Sequence, residues 1–172
     1  PPAELKLLAP FAGGTMFELG CHLIDVVVAM LGVPESVTSV AQHVAPIDDG
    51  LADNMLAVLT YPKAIATVKS SAVEVDGFRR RHLVVCGTEG TLQIQPLDSP
   101  SVSLALSQRR GEYRAGVQEV RFPRHVRYVK EAEEFAKAIR GEAPPLFSYE
   151  HDLAVHRVVL EGSGMGVDLE RG

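Results

Sequence analysis

The chain has 172 residues, 46% of them apolar and 23% charged, and carries a formal net charge of −5 at pH 7. That is length enough for one domain with a sizeable core and an ordinary composition for a soluble globular protein. The acidic balance argues against a nucleic-acid-binding surface, and no apolar run approaches the roughly 20 residues of a membrane span, because Asp25 interrupts the best candidate.

Cys21 and Cys86 are too few for a disulfide framework. Both read as buried small hydrophobes in a protein of the reducing cytoplasm. No signal peptide is expected, and the start at Pro1-Pro2 without an initiator Met reads as a processed protein or a fragment of a longer one.

The first element is a short apolar segment, Leu5 to Ala9, closed by Pro10. Gly13-Gly14 then provides flexible backbone before a helix running from Thr15, its candidate cap, to Leu31, where Gly32 and Pro34 stop it. Residues of an α-helix advance by about 100° each, so Thr15, Glu18, His22 and Asp25 fall in one narrow stripe. Nearly every other direction is apolar, from Met16 and Phe17 to Met30 and Leu31. Such a helix belongs inside a protein, where Glu, His and Asp are costly unless paired or turned toward a ligand. The stripe is either a satisfied polar seam or the wall of a cleft.

From Ser36 to Phe122 the pattern becomes that of strands: Ser36–Ala45, Met55–Tyr61, Ala64–Val73, His82–Cys86, Thr91–Gln95, Val102–Ser107 and Gln118–Phe122. The links are short, with Pro62-Lys63 and Gly87-Thr88-Glu89-Gly90 as tight turns, so neighbours are expected to pair antiparallel. The basic run Arg79-Arg80-Arg81, beside Glu74 and Asp76, reads as a solvated strand end. An amphipathic helix over 128–140 presents Val129, Ala132, Phe135, Ala136 and Ile139 on one face, and Ser148 or Tyr149 opens a last helix over 150–161. The expected fold is α+β, a large, mostly antiparallel open sheet with helices packed on one face, in a single domain over 1–172.

Histidine is the side chain best suited to exchange a proton near neutral pH, and Glu18 lies four residues before His22 on the same face. By residue chemistry alone, His22 reads first as a core histidine satisfied by Glu18, ahead of a proton acceptor. Asp25 serves either as a direct contact or as helix packing. Gly13 and Gly14 either let backbone approach a substrate or simply make a turn. Glu18 and His22 also have metal-ligand spacing, but His43, His82, His125, His151 and His156 supply no second spaced pair, so no metal site is expected.

The segment Gly13-Gly14-x-x-x-Glu18-x-Gly20-x-His22-x-x-Asp25, the Gly87-Thr88-Glu89-Gly90 hairpin and the closing helices with Tyr149-Glu150-His151-Asp152-Leu153-Ala154 resemble the C-terminal domain of the Gfo/Idh/MocA oxidoreductases. The resemblance covers about Pro10 to Met165. It implies a substrate-binding and oligomerisation domain of an NAD- or NADP-dependent sugar or polyol oxidoreductase. An N-terminal Rossmann domain, absent from this chain, would bind most of the cofactor and bring a catalytic lysine. The resemblance also implies a homodimer or homotetramer formed through the open sheet face. His22 maps onto the family's general acid/base histidine and Glu18 stands where the family carries Asp, with Asp25, Gly13 and Gly14 on the substrate side. The fragment alone is expected to be inactive. The alternative is a non-catalytic assembly or ligand-binding module of the same fold.

Overall fold

A computed structural model of the chain describes residues 7–123 and 126–166. In chain order its elements are a π-helical turn Met16–Gly20, α1 (Cys21–Leu31), β1 (Ser36–Gln42), β2 (Asn54–Tyr61), β3 (Ala64–Ser71), α2 (Gly77–Arg80), β4 (Leu83–Gly87), β5 (Gly90–Ile94), β6 (Val102–Leu106), β7 (Gly116–Val120), α3 (Val129–Ile139) and α4 (Tyr149–Gly162). The fold is α+β and its strand pairs are antiparallel. The strands form two hydrogen-bonded sheets, β1-β2-β3 and β4-β5-β6-β7. The single run of strands is broken after β3, where Asp76 takes a left-handed φ of 56° and Gly77–Arg80 winds into α2. The basic run is thus a helical turn, not a strand end. Its charges are still solvated, with Arg80 on Glu74 at 2.5 Å and Arg81 on Asp98 at 3.5 Å.

The chain divides into two compact units, one holding the chain up to Val73 and from Glu134 onward, the other Glu74–Glu133. In the first, strict alternation along β2 turns Met55, Ala57, Leu59 and Tyr61 to one side. They meet Met16, Ile24 and Val28 from the site helix, Val68 from β3, and Val158 and Val159 from α4. Each Val, Leu, Ile or Met among them contributes about 1.5–3 kcal/mol on burial. Gly162 lets α4 come close: a Cβ there would stand 3.3 Å from both Ala57 Cβ and Ile24 Cδ1. The Ser39 hydroxyl donates to the Gly162 carbonyl at 2.7 Å, and the Tyr61 hydroxyl donates to the Gly32 carbonyl at 3.1 Å, beyond the last turn of α1. Both helices lie on this face; on the other, Val40, Leu56 and Ile65 are exposed, Ile65 by 73%.

The second unit is a meander, with Gly87 paired to Gly90 across the two-residue turn Thr88-Glu89. Glu89 is exposed and paired with Arg110. Cys86 is exposed, against expectation, and sits beside the turn of this hairpin opposite Thr91; Cys21 is half-buried, and both thiols are free. Among the described residues no helix is long and apolar enough to cross a membrane.

β1 stops at Gln42, three residues short of the alternating pattern, because Asp53 takes the next amides. The Asp53 side chain is buried, and its two oxygens accept from the Val44 and Ala45 N–H groups at 2.9 Å each. His43 joins this knot through Nδ1, donating to the Leu51 carbonyl at 2.8 Å with Asp53 and Asp49 at 3.5 and 3.7 Å. The Leu51 carbonyl chiefly, aided by the two carboxylates, pushes the His43 imidazole above its ordinary value of 6.5. The folded chain therefore binds the His43 proton more tightly than the unfolded one. The stability this adds is full below about pH 6.5 and fades as pH rises through the raised value. Replacing His43 by Gln is expected to flatten the fall in melting temperature of the wild type between about pH 6 and 8. Thermal unfolding across that range checks it, and an identical slope in both proteins refutes it.

Candidate functional site

The site helix begins in a close fit. Gly13 and Gly14 have φ of 91° and 52°, and a Cβ on Gly14 would lie 2.5 Å from the Ala52 carbonyl oxygen. The same carbonyl accepts the Thr15 N–H at 3.0 Å. Both glycines are thus required by the fold itself, since only glycine reaches these angles cheaply. Thr15 does not cap. Its backbone is already helical, its side chain is fully buried, and its hydroxyl has no partner among the described residues.

The turn that follows is π-helical, a local widening to i→i+5 spacing often seen at functional sites. Its angular step is smaller than 100° per residue, so Thr15 rotates out of the stripe that α-helical spacing predicts and into the core. Glu18 and His22 are exposed, and Asp25 is half-exposed. The stripe is therefore neither a sealed seam nor internally paired: among the described residues no hydrogen bond joins Glu18 to His22. Cys21, beside it, bonds through Sγ to the Glu18 carbonyl at 3.4 Å, and burial pushes its thiol up.

Asp25 does have a partner. Its Oδ1 accepts from His151 Nε2, at the start of α4, at 2.9 Å. Sequence reasoning missed this residue as a site candidate. The available signal was its position: His151 shares a helix face with Val155, Val158 and Val159, and a polar group on an apolar stripe needs something to bond. His156, farther along α4, packs edge-on to Phe17 with ring centroids 6.3 Å apart. Among the described residues no group of three or more His, Cys, Asp or Glu gathers as a metal would require. His125 lies outside them.

This placement of helix, sheet and glycines agrees with the comparison to known proteins: residues 3–93 match the GFO/IDH/MocA C-terminal domain family. The chain belongs to that family. No curated protein sequence matches it. Among solved structures it is similar to yvaA of Bacillus subtilis, a candidate oxidoreductase, at 20% identity and TM-score 0.68, over 88% of this chain and 50% of that one. An oxidoreductase of Agrobacterium radiobacter in complex with NAD+, L-tartaric acid and magnesium matches at 15% identity and TM-score 0.67, over 87% and 46%. UDP-N-acetylglucosamine 3-dehydrogenase GnnA of Acidithiobacillus ferrooxidans matches at 17% and 0.59, over 84% and 46%. At these identities the likeness is one of fold, and the chain spans about half the length of these proteins.

Within this GFO/IDH/MocA C-terminal domain, Gly14 is the point at which the site helix is seated. Gly14→Ala combines a left-handed φ of 52°, costly for any residue with a Cβ, with a clash against the Ala52 carbonyl, and should destabilise the chain by about 2 kcal/mol or more. Gly111→Ala, also at positive φ (57°) but with nothing within 4 Å of its Cβ, should cost less. Denaturant unfolding of the two variants measures the difference; equal losses would mean the Ala52 contact is unimportant.

Proposed function

We propose that this chain is the substrate-binding and oligomerisation domain of an NAD- or NADP-dependent oxidoreductase acting on a sugar or polyol. The observation that carries the reading is an exposed histidine on the core-anchored helix of a GFO/IDH/MocA C-terminal domain, with a carboxylate one turn before it. In this reading His22 accepts the proton of the substrate hydroxyl as that carbon is oxidised. Glu18 orients the imidazole or holds the substrate, and Asp25 receives a further hydroxyl. Gly13 and Gly14 form the backbone shoulder of the substrate site.

The described residues do not fit a dinucleotide. Its pyrophosphate calls for a parallel strand, a glycine-rich turn and a helix N-terminus, and the strand pairs here are antiparallel. The reading therefore assigns NAD or NADP to a separate domain and confines this chain to binding the alcohol and receiving its proton. Two free thiols fit a reducing compartment, the cytoplasm.

His22→Ala in the full-length protein should lower kcat by about 10²–10⁴-fold while dinucleotide affinity stays within error. Steady-state kinetics with NAD+ and a fluorescence titration of NADH give the two numbers. Unchanged turnover removes His22 from the mechanism.

The outer face of β1-β2-β3 favours assembly as a second task. Cross-strand neighbours Val40 and Leu56 are exposed there together with Ile65, an apolar patch that a second copy of the sheet would cover in a homodimer or homotetramer. Ile65→Lys should shift sedimentation toward monomer without moving the melting temperature of the dissociated chain. An unchanged sedimentation coefficient would mean the face is not the interface.

A further inference from the structure

The run Arg79-Arg80-Arg81 takes no part in the site helix, and two of its three guanidinium groups are already engaged. Arg80 meets Glu74 at 2.5 Å, while Arg81 meets Asp98 at 3.5 Å and lies over the Phe78 ring at 4.1 Å. Arg79 differs. Its side chain is 84% exposed, and its one ion-pair partner among the described residues, Asp76, stands 3.9 Å from Nε. Arg79 borders a hollow of about 430 Å³ that is otherwise lined by Gln93, Gln95, Pro96, Ser101 and Ser103.

Strand register builds the floor of this hollow. Gln93 lies directly opposite Ser103, and the Gln95 N–H, two residues on, donates to the Ser101 carbonyl at 3.0 Å. Side chains two residues apart share a face, so four hydrogen-bonding groups stand together at one end of the second sheet. Solvation of an outward face does not account for them, because another row on that face, Cys86, Thr91, Ala105 and Val117, is small or apolar. Among the described residues the side chains of Gln93, Ser101 and Ser103 have no hydrogen-bond partner, and Gln95 Nε2 reaches only the Arg79 carbonyl, at 3.5 Å. Amide and hydroxyl donors beside a guanidinium suit an oxyanion. Composition agrees: residues 74–133 hold nine arginines, one lysine and eight carboxylates, a basic segment in a chain of net charge −5. Arginine is the cation whose planar fork matches phosphate oxygens.

We propose that this hollow binds the phosphate group of a small phosphomonoester. The Arg79 guanidinium supplies the opposite charge, and Gln93, Gln95, Ser101 and Ser103 donate to the remaining oxygens. A carboxylate offers two oxygens in one plane, whereas the three terminal oxygens of a phosphomonoester suit donors spread over two strands and a helical turn. The hollow has room for the phosphate and a small organic group. Asp76 beside Arg79 and Glu119 opposite Ser103 repel the anion, which sets the affinity on the order of 1 mM. The site shares no residue with the helix that carries His22, so it stands or falls independently of the proton acceptor.

The test titrates the full isotope-labelled chain, at fixed ionic strength, with glycerol 3-phosphate, inorganic phosphate, acetate and chloride. The backbone amide NMR signals of Gln93, Gln95, Ser101 and Ser103 are followed. Glycerol 3-phosphate should move all four and bind at least about threefold tighter than inorganic phosphate, and acetate and chloride should leave them nearly still. Arg79→Ala should weaken binding about tenfold, and Arg79→Lys, which keeps the charge and loses the fork, should recover part of the loss. Gln93→Ala should cost about threefold. Both side chains are exposed, so these variants should keep the wild-type melting temperature. Arg109, which donates to the Gly111 carbonyl in its own turn at 3.3 Å, is the control cation, and Arg109→Ala should change nothing. The proposal is overturned if the four amides stay still at about 20 mM glycerol 3-phosphate, or if acetate moves them equally. It is also overturned if inorganic phosphate binds as tightly as the ester, an adventitious ion only, or if Arg79→Ala and Arg109→Ala lose affinity alike.

Discussion

His22 can face outward because Met16, Ile24 and Val28 face inward. These three fully or nearly fully buried side chains fasten the site helix to the inner face of β2 and β3 and to α4. At about 1.5–3 kcal/mol each, they outweigh the cost of an orphaned Thr15 hydroxyl at the helix start. The Ala52 carbonyl adds a fixed point by accepting the Thr15 N–H while leaving no room for a side chain on Gly14. The direction in which Glu18, His22 and Asp25 leave the helix follows from this seating.

The seating depends in turn on the loop that carries Ala52. Asp53, next in sequence, ties the loop down with two amide bonds, and His43 braces it from the β1 side. A buried carboxylate far from His22 in sequence thus stands behind the position of the helix start. Asp53 also bonds through its backbone to Gln42 and Ala72, linking all three strands at one end. Substrate contacts on an exposed helix face are only as well placed as the framework beneath them.

Much of this was legible in the residues. The helix over 16–31, its Gly32 stop, each of the seven strands and the Ser148-capped last helix appear within a few positions of where period and turn chemistry put them. What periodicity does not carry is a change of pitch. A constant step of about 100° keeps Thr15 beside Glu18, and only the π turn separates them. Nor does local pattern see partners distant in sequence: Asp25 and His151 are 126 positions apart, and nothing near either announces the other. The expectation of a helix buried on all sides is met on one side only. Leu19, Val26, Met30 and Leu31 are 36–51% exposed on the other.

The π turn also makes the site sensitive to length in a way that composition conceals. It is a helix carrying a surplus residue. Loss of a single codon within 16–20 could leave a perfectly ordinary α-helix, every side chain of which would then be dialled round by about 100° against whatever stays anchored behind it. Point substitutions in this stretch trade one shape for another, whereas a one-residue deletion changes the phase of everything downstream, sending Ile24 toward solvent or His22 toward the sheet. The number of residues between Thr15 and Cys21 is itself a determinant of which side chains meet the sheet and which meet solvent.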